Sequence, residues 1–165
     1  MINLSKQYSQ VVCLNGHQRT ASFTWGTSPN GFCEECGDKL ISKCPKCDFP
    51  IVGNYDPSGE EIVVLGLSTK SVPKYCQNCG NPYPWTESAI KSAQDLISYS
   101  ELSSDEVKDF QESIPDLLSD TPKTKLASTK FKIYAAKTGT VVAQGLRDIL
   151  VDVASETVKK SIWGV

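Results

Sequence analysis

CLNGH at residues 13–17, FCEECG at 32–37, KCPKC at 43–47 and CQNCG at 76–80 decide how this chain reads. Together they hold all seven cysteines and the only histidine. The candidate metal ligands fall in four pairs: Cys13 with His17, Cys33 with Cys36, Cys44 with Cys47, and Cys76 with Cys79. Eight soft ligands in four pairs match two tetrahedral zinc ions. An odd number of cysteines would leave one thiol over in a disulfide framework, whereas His17 completes the metal count. Gly37 and Gly80 follow two of the knuckles, where the backbone turns through positive φ and glycine is least strained.

Two pairings are open. Sequential pairing puts Cys13, His17, Cys33 and Cys36 on one ion and Cys44, Cys47, Cys76 and Cys79 on the other. Interleaved pairing joins first with third and second with fourth. The strand-like residues between sequential partners favour the first arrangement, a double zinc ribbon. Residues 7–12 and 18–25 read as paired strands around the Asn15-Gly16 turn. DKLIS at 38–42 reads as a short strand, and DFPIVGNY at 48–55 and EEIVVLGL at 60–67 as two more, joined by a turn at 56–59.

After Cys79 the ligand spacing ends and the pattern becomes helical. Thr86 can cap a helix starting near Glu87, with Ala89, Ile90, Ala93, Leu96 and Ile97 on one face. Ser103 and Glu106 form a capping box, with Leu102 and Val107 as its hydrophobic staple. Pro115 should end that helix. Thr121 as cap and Pro122 at the first position open a third helix, which stops at Gly139. A last helix is expected from Val141 to Ile162. The fold class is therefore α+β: residues 1–85 a zinc-bound β unit, residues 86–165 a helical domain of about four helices.

Composition leaves few functions open. The chain has 165 residues, a formal charge of -2, 39% hydrophobic and 22% charged residues, which is ordinary for a globular protein. No stretch reads as a signal peptide or a membrane span, so a cytoplasmic protein is expected. If the metals use every cysteine and His17, neither a thiol nucleophile nor a histidine base is left. No phosphate loop, nucleophile elbow or H-E-x-x-H is present. A binding or scaffold role with protein partners or self-association is favoured, and an enzyme built on carboxylates comes third. Nucleic-acid binding is the runner-up, on the five lysines and no acid between Lys123 and Lys137. Against it, nine acids lie between Glu87 and Asp120, and neighbouring helices of opposite charge would neutralise each other. Tyr83 and Trp85 are expected in packing between the ribbons and the first helix, and the surface beside them is the first place to seek function.

CLNGH, FCEECG, KCPKC with PIVGNY, CQNCGNPYPWTES at 76–88 and PDLLSDTPKTKLA at 115–127 resemble a bacterial family of uncharacterised zinc-ribbon proteins. PYPWT is the most specific part. The resemblance implies a double zinc ribbon followed by helices, and implies no activity.

Overall fold

The structure is a computed structural model that describes residues 5–57 and 70–165. The chain divides into two compact units, Met1–Thr86 and Glu87–Val165.

In the first unit, β1 (Lys6–Cys13) is the central strand. It pairs antiparallel with β2 (Gln18–Thr24) on one side. On the other side it pairs with β3 (Leu40–Ile41) at its C-terminal end and β4 (Val52–Asp56) at its N-terminal end. Asn15-Gly16 makes the tight turn between β1 and β2, with Gly16 at φ +91°. The period-two alternation of β1 sorts its residues. Val11 and Cys13 pack with Leu40, while Val12 packs with Cys44, Ile51, Cys76, Tyr83 and Trp85. One strand therefore supplies apolar contacts to two separate small cores. The strand expected from 48 is shorter and begins at Val52. The one expected over 60–67 lies outside the described residues.

The polar side chains of β1 organise the chain around it. Gln10 is buried, and its amide donates to Val52 O (3.0 Å) and Ser71 O (3.1 Å) while accepting from Gln18 Nε2 (2.6 Å). Gln7 holds the carbonyls of Gly53 and Asn54. These bonds satisfy backbone groups that the short strands leave unpaired. At Gly53 a Cβ would fall 2.3 Å from the Ala21 carbonyl oxygen, so only glycine lets β4 approach this closely.

The helices are α1 (Pro84–Ile97), α2 (Ser104–Ser113), α3 (Thr124–Lys137), α4 (Thr140–Leu150) and α5 (Glu156–Trp163), with a 3₁₀ turn over Ile114–Leu117. The capping box at Ser103 and Glu106 is present, and Pro115 lies in the 3₁₀ turn that follows α2. Three expected boundaries are corrected. First, α1 begins at Pro84, not after a Thr86 cap. Proline enters a first turn readily because its missing N–H would be unpaired there anyway. Thr86 is then interior and buried, and its hydroxyl has no partner among the described residues. Second, α3 starts at Thr124 rather than Pro122. Thr124 Oγ1 donates to Ser119 O (2.6 Å) and accepts from Thr121 N–H (2.8 Å), a local turn that displaces the helix. Third, the expected last helix is two. After Leu150 the chain turns, and Ser155 caps α5 by accepting from Val158 N–H (3.3 Å). The Ser155 N–H meanwhile donates to Leu117 O (3.0 Å). The helices therefore number five among the described residues, not about four.

The second unit has a cysteine-free core centred on Phe110, Ile114, Leu117, Leu118, Leu146, Leu150 and Val158. Phe110 meets Phe131 edge-on at 5.7 Å, and Phe131 meets Trp163 at 5.6 Å. Gln94 and Gln111 exchange side-chain to backbone bonds of 3.0 and 2.8 Å between α1 and α2. Acidic α2 lies beside basic α3: Lys130 pairs with Asp109 (2.6 Å) and Lys137 with Glu106 (2.7 Å). Neighbouring helices of opposite charge do neutralise part of the lysine run.

Candidate metal centres

The structure brings the eight candidate ligands into two groups, Cys13–His17–Cys33–Cys36 and Cys44–Cys47–Cys76–Cys79. This is the sequential pairing. Within each group the ligand atoms lie within 4.8 Å of one another.

The local backbone explains how. Three knuckles share one pattern. The N–H of the first cysteine donates to the carbonyl five residues on: Cys33 to Asp38 O (2.7 Å), Cys44 to Phe49 O (2.8 Å) and Cys76 to Asn81 O (2.9 Å). The N–H four residues on returns to the same cysteine's carbonyl, from Gly37, Asp48 and Gly80 (2.8–2.9 Å). A bridge closes each loop, Phe32 with Lys39, Lys43 with Pro50, and Tyr75 with Pro82. The turning residue has φ of +75° at Gly37, +62° at Asp48 and +73° at Gly80. Asp48 fills the glycine position of the third knuckle, which aspartate tolerates better than most side chains.

Distances test whether zinc fits. Zn–S bonds of about 2.3 Å in a tetrahedron place sulfurs ~3.8 Å apart, and a nitrogen at about 2.0 Å puts N and S ~3.5 Å apart. The Sγ···Sγ separations are 3.6 Å for Cys13–Cys36, 3.8 Å for Cys44–Cys79 and 3.6 Å for Cys47–Cys76. His17 Nδ1 is 3.4 Å from Cys13 Sγ and 3.7 Å from Cys33 Sγ. A disulfide would need about 2.05 Å, and all seven cysteines are free. The donor set and its spacing fit a tetrahedral ion of zinc size in both groups.

Side chains that spacing alone did not single out complete the centres. Asn15 Nδ2 donates to Cys36 Sγ (3.3 Å), Asn78 Nδ2 to Cys47 Sγ (3.5 Å) and Asn81 Nδ2 to Cys79 Sγ (3.4 Å). Backbone N–H groups of His17 and Lys46 donate to Cys13 and Cys44 Sγ. Such donors stabilise thiolates and orient them. The Asn15 and Asn81 amides, aided by backbone N–H groups, lower the Cys36 and Cys79 thiols to about 6. Burial pushes the Cys44 thiol up to about 11. In sequence the signal was an asparagine inside or just after two of the four ligand pairs, Asn15 in the first and Asn78 and Asn81 at the last. Glu35 Oε2 stands 3.7 Å from His17 Nε2, the nitrogen left over when Nδ1 faces the sulfurs; metal-bound histidines commonly have a carboxylate there.

Tyr83 and Trp85 are buried and stacked at 4.8 Å. Both rings pack in a core, as expected of them, and so offer no working surface themselves. Tyr83 packs with Cys44 and Cys76, and burial followed by the Cys76 charge raises its phenol pKa. Trp85 Nε1 donates to Pro73 O (2.8 Å), and its ring lies against Gly16, where a Cβ would come within 3.2 Å. PYPWT thus buttresses both centres from inside the first unit.

A family model described as an uncharacterized protein conserved in bacteria (DUF2321) matches residues 6–162. No curated protein and no solved structure matches the chain. Among the described residues, no helix is long and apolar enough to cross a membrane.

Proposed function

The chain belongs to this uncharacterized bacterial family, and we propose that it is a zinc protein in which two structural ions hold an interaction module. Its partners are other proteins or a second copy, in a cytoplasmic multi-protein system, and a carboxylate-based enzyme is the third and least favoured reading. The observation that carries this reading is that each group offers four protein ligands at tetrahedral spacing. A catalytic zinc keeps one position for water, whereas four protein ligands suit a structural ion. Structural zinc supplies folding free energy directly to units with little apolar core, as here.

Nucleic-acid binding is the weaker reading, because Lys130 and Lys137 are engaged by Asp109 and Glu106. Two measurements test the proposal. Elemental analysis of the native protein should give two zinc ions per chain, and fewer would refute two structural sites. Crosslinking in the bacterial host, followed by identification of captured chains, should return the same protein partner or the chain itself reproducibly. A capture dominated by nucleic acid, lost with added salt, would favour the other reading.

A further inference from the structure

In the second unit, α3 carries an apolar seam on the side turned away from the core. Leu126 and Ile133 are 60% and 52% exposed and lie seven residues apart, hence on one side of the helix. A large apolar side chain standing alone on a surface needs no explanation. These two do, because their neighbours follow the same seven-residue period. With Leu126 and Ile133 at the first position of a heptad, Thr129 and Ala136 fall at the fourth, and both are exposed. Every position flanking this seam is a lysine: Lys125, Lys130, Lys132 and Lys137. The positions that a coiled-coil helix usually turns to water include Ala127, Phe131, Tyr134 and Ala135, and in α3 these pack into the protein's own core. One side of α3 is therefore buried, and the other is patterned for a second helix.

The flanks select the occupant. Charges beside a helical seam set which partner it accepts. A second copy of α3 would bring lysine rows against lysine rows. The acidic helices of a second copy do not answer either, because α1 and α2 expose no large apolar side chain among the described residues. An anionic membrane would meet the lysines, but an interfacial helix sinks a broad apolar face, and the broad face of α3 is spent on the core. Nucleic acid would take the lysines and leave Leu126 and Ile133 in water. Lys130 and Lys137 already pair with Asp109 and Glu106 along one flank. Lys125 and Lys132, on the other flank, form no ion pair among the described residues, so the free positive charge lies there.

We propose that this face of α3 docks an amphipathic helix of another protein, with large aliphatic side chains along its seam and carboxylates along the flank that meets Lys125 and Lys132. The proposal rests on the interaction-module reading and supplies the chemistry of the partner. The small side chains of Thr129 and Ala136 leave room for larger ones from the partner. The seam spans the 14 residues of α3, two heptads, which suits a transient contact rather than a permanent one.

The test is amide NMR titration of the zinc-loaded full chain with a synthetic helix of three heptads, Leu along its seam and Glu at every flanking position. Saturable shifts should cluster at residues 124–137 and weaken with added salt. K125E/K132E should weaken this peptide by about tenfold or more and tighten the matching peptide with Lys in place of Glu, since like charges across an interface exclude a partner. L126Q/I133Q should lose both peptides. All four side chains are exposed, so both double variants should keep the parent's circular dichroism spectrum. Shifts spread over all surface lysines, undiminished binding by L126Q/I133Q, or tighter binding to phosphatidylserine vesicles or a single-stranded oligonucleotide than to the peptide would overturn the proposal. A dimer that L126Q/I133Q disperses would give the face to a second copy and overturn it too. Peptide failure beside reproducible capture of one protein in the host removes this face alone, whereas capture of nucleic acid removes the wider reading.

Discussion

Replacing Cys76 by serine should unfold the first unit and spare the second. Cys76 is 1% exposed and sits among Val12, Ile51, Tyr83 and Trp85, with its Sγ 3.6 Å from Cys47 Sγ. Serine offers no thiolate, so the proposed zinc site at Cys44, Cys47, Cys76 and Cys79 loses a corner. Besides cysteines, the buried apolar residues of this unit among those described are Val11, Val12, Ala21, Leu40, Ile51, Tyr83 and Trp85. At about 1.5–3 kcal/mol for each large side chain, these contribute ~10–20 kcal/mol. One structural zinc contributes about 10–16 kcal/mol. A single metal therefore weighs as much as the apolar core of the described residues, while a domain's net stability is only about 5–15 kcal/mol. Losing it leaves the sheet with no margin. The helical unit keeps its thirteen-residue buried cluster, which contains no cysteine. Zinc analysis, the Trp85 indole NMR signal and far-ultraviolet circular dichroism report the three consequences separately. The expected result is less than the full zinc content, loss of the Trp85 signal, and retention of most helical signal. A C76S protein that lacks this zinc yet keeps slow amide exchange at Val11 and Val12 would refute the reasoning.

Asn15→Ala removes the amide that donates to Cys36 Sγ and should weaken zinc at the Cys13 centre by about tenfold, as outer partners usually do; competition with a chromogenic chelator would measure it, and an unchanged affinity would count against the Asn15 role. Gly53→Ala would put a Cβ within 2.8 Å of Ala21 and Ser9 backbone atoms. With no flexible side chain to yield, the cost should exceed about 3 kcal/mol, read as a lower melting temperature of the first unit; a variant as stable as the parent would show that β4 has room. The Lys130 bond, then the Tyr134 bond, hold the Asp109 carboxyl below its usual range. A depressed carboxylate lends stability above its unfolded pKa of about 3.9 and loses it as pH falls through the lower folded value. Melting of the helical unit should therefore drop in acid below about pH 4, and D109N should flatten that drop; parallel profiles for both proteins would remove Asp109 as a cause.

The α+β class, the eight candidate ligands and the capping box at Ser103 were legible in the sequence, because each rests on short-range spacing. Cysteine pairs two residues apart, a glycine after the knuckle and Ser-x-x-Glu before an apolar run are decided within one turn of chain. Helix starts were less legible: Thr86 and Thr121 both look like caps, and Pro84 and the Thr121–Thr124 turn overrode them. The break before Ser155 was missed because Val141–Ile162 keeps helical spacing throughout. Only packing, with α5 turned to bury Val158 and seat Trp163 on Phe131, ends the helix there.

What the sequence determined by itself was the donor chemistry, since ligand type and local spacing need no long-range contact. What only the tertiary structure decided was which pairs meet, what surrounds them and which charges are spent. The alternation of β1 places Val11 with Cys13 in one cluster and Val12 with Cys44 and Cys76 in another. Folding buries Tyr83 and Trp85 and turns Lys130 and Lys137 of α3 toward acids, while Lys125 and Lys132 stay exposed. These outcomes join residues tens of positions apart, and no local pattern encodes them.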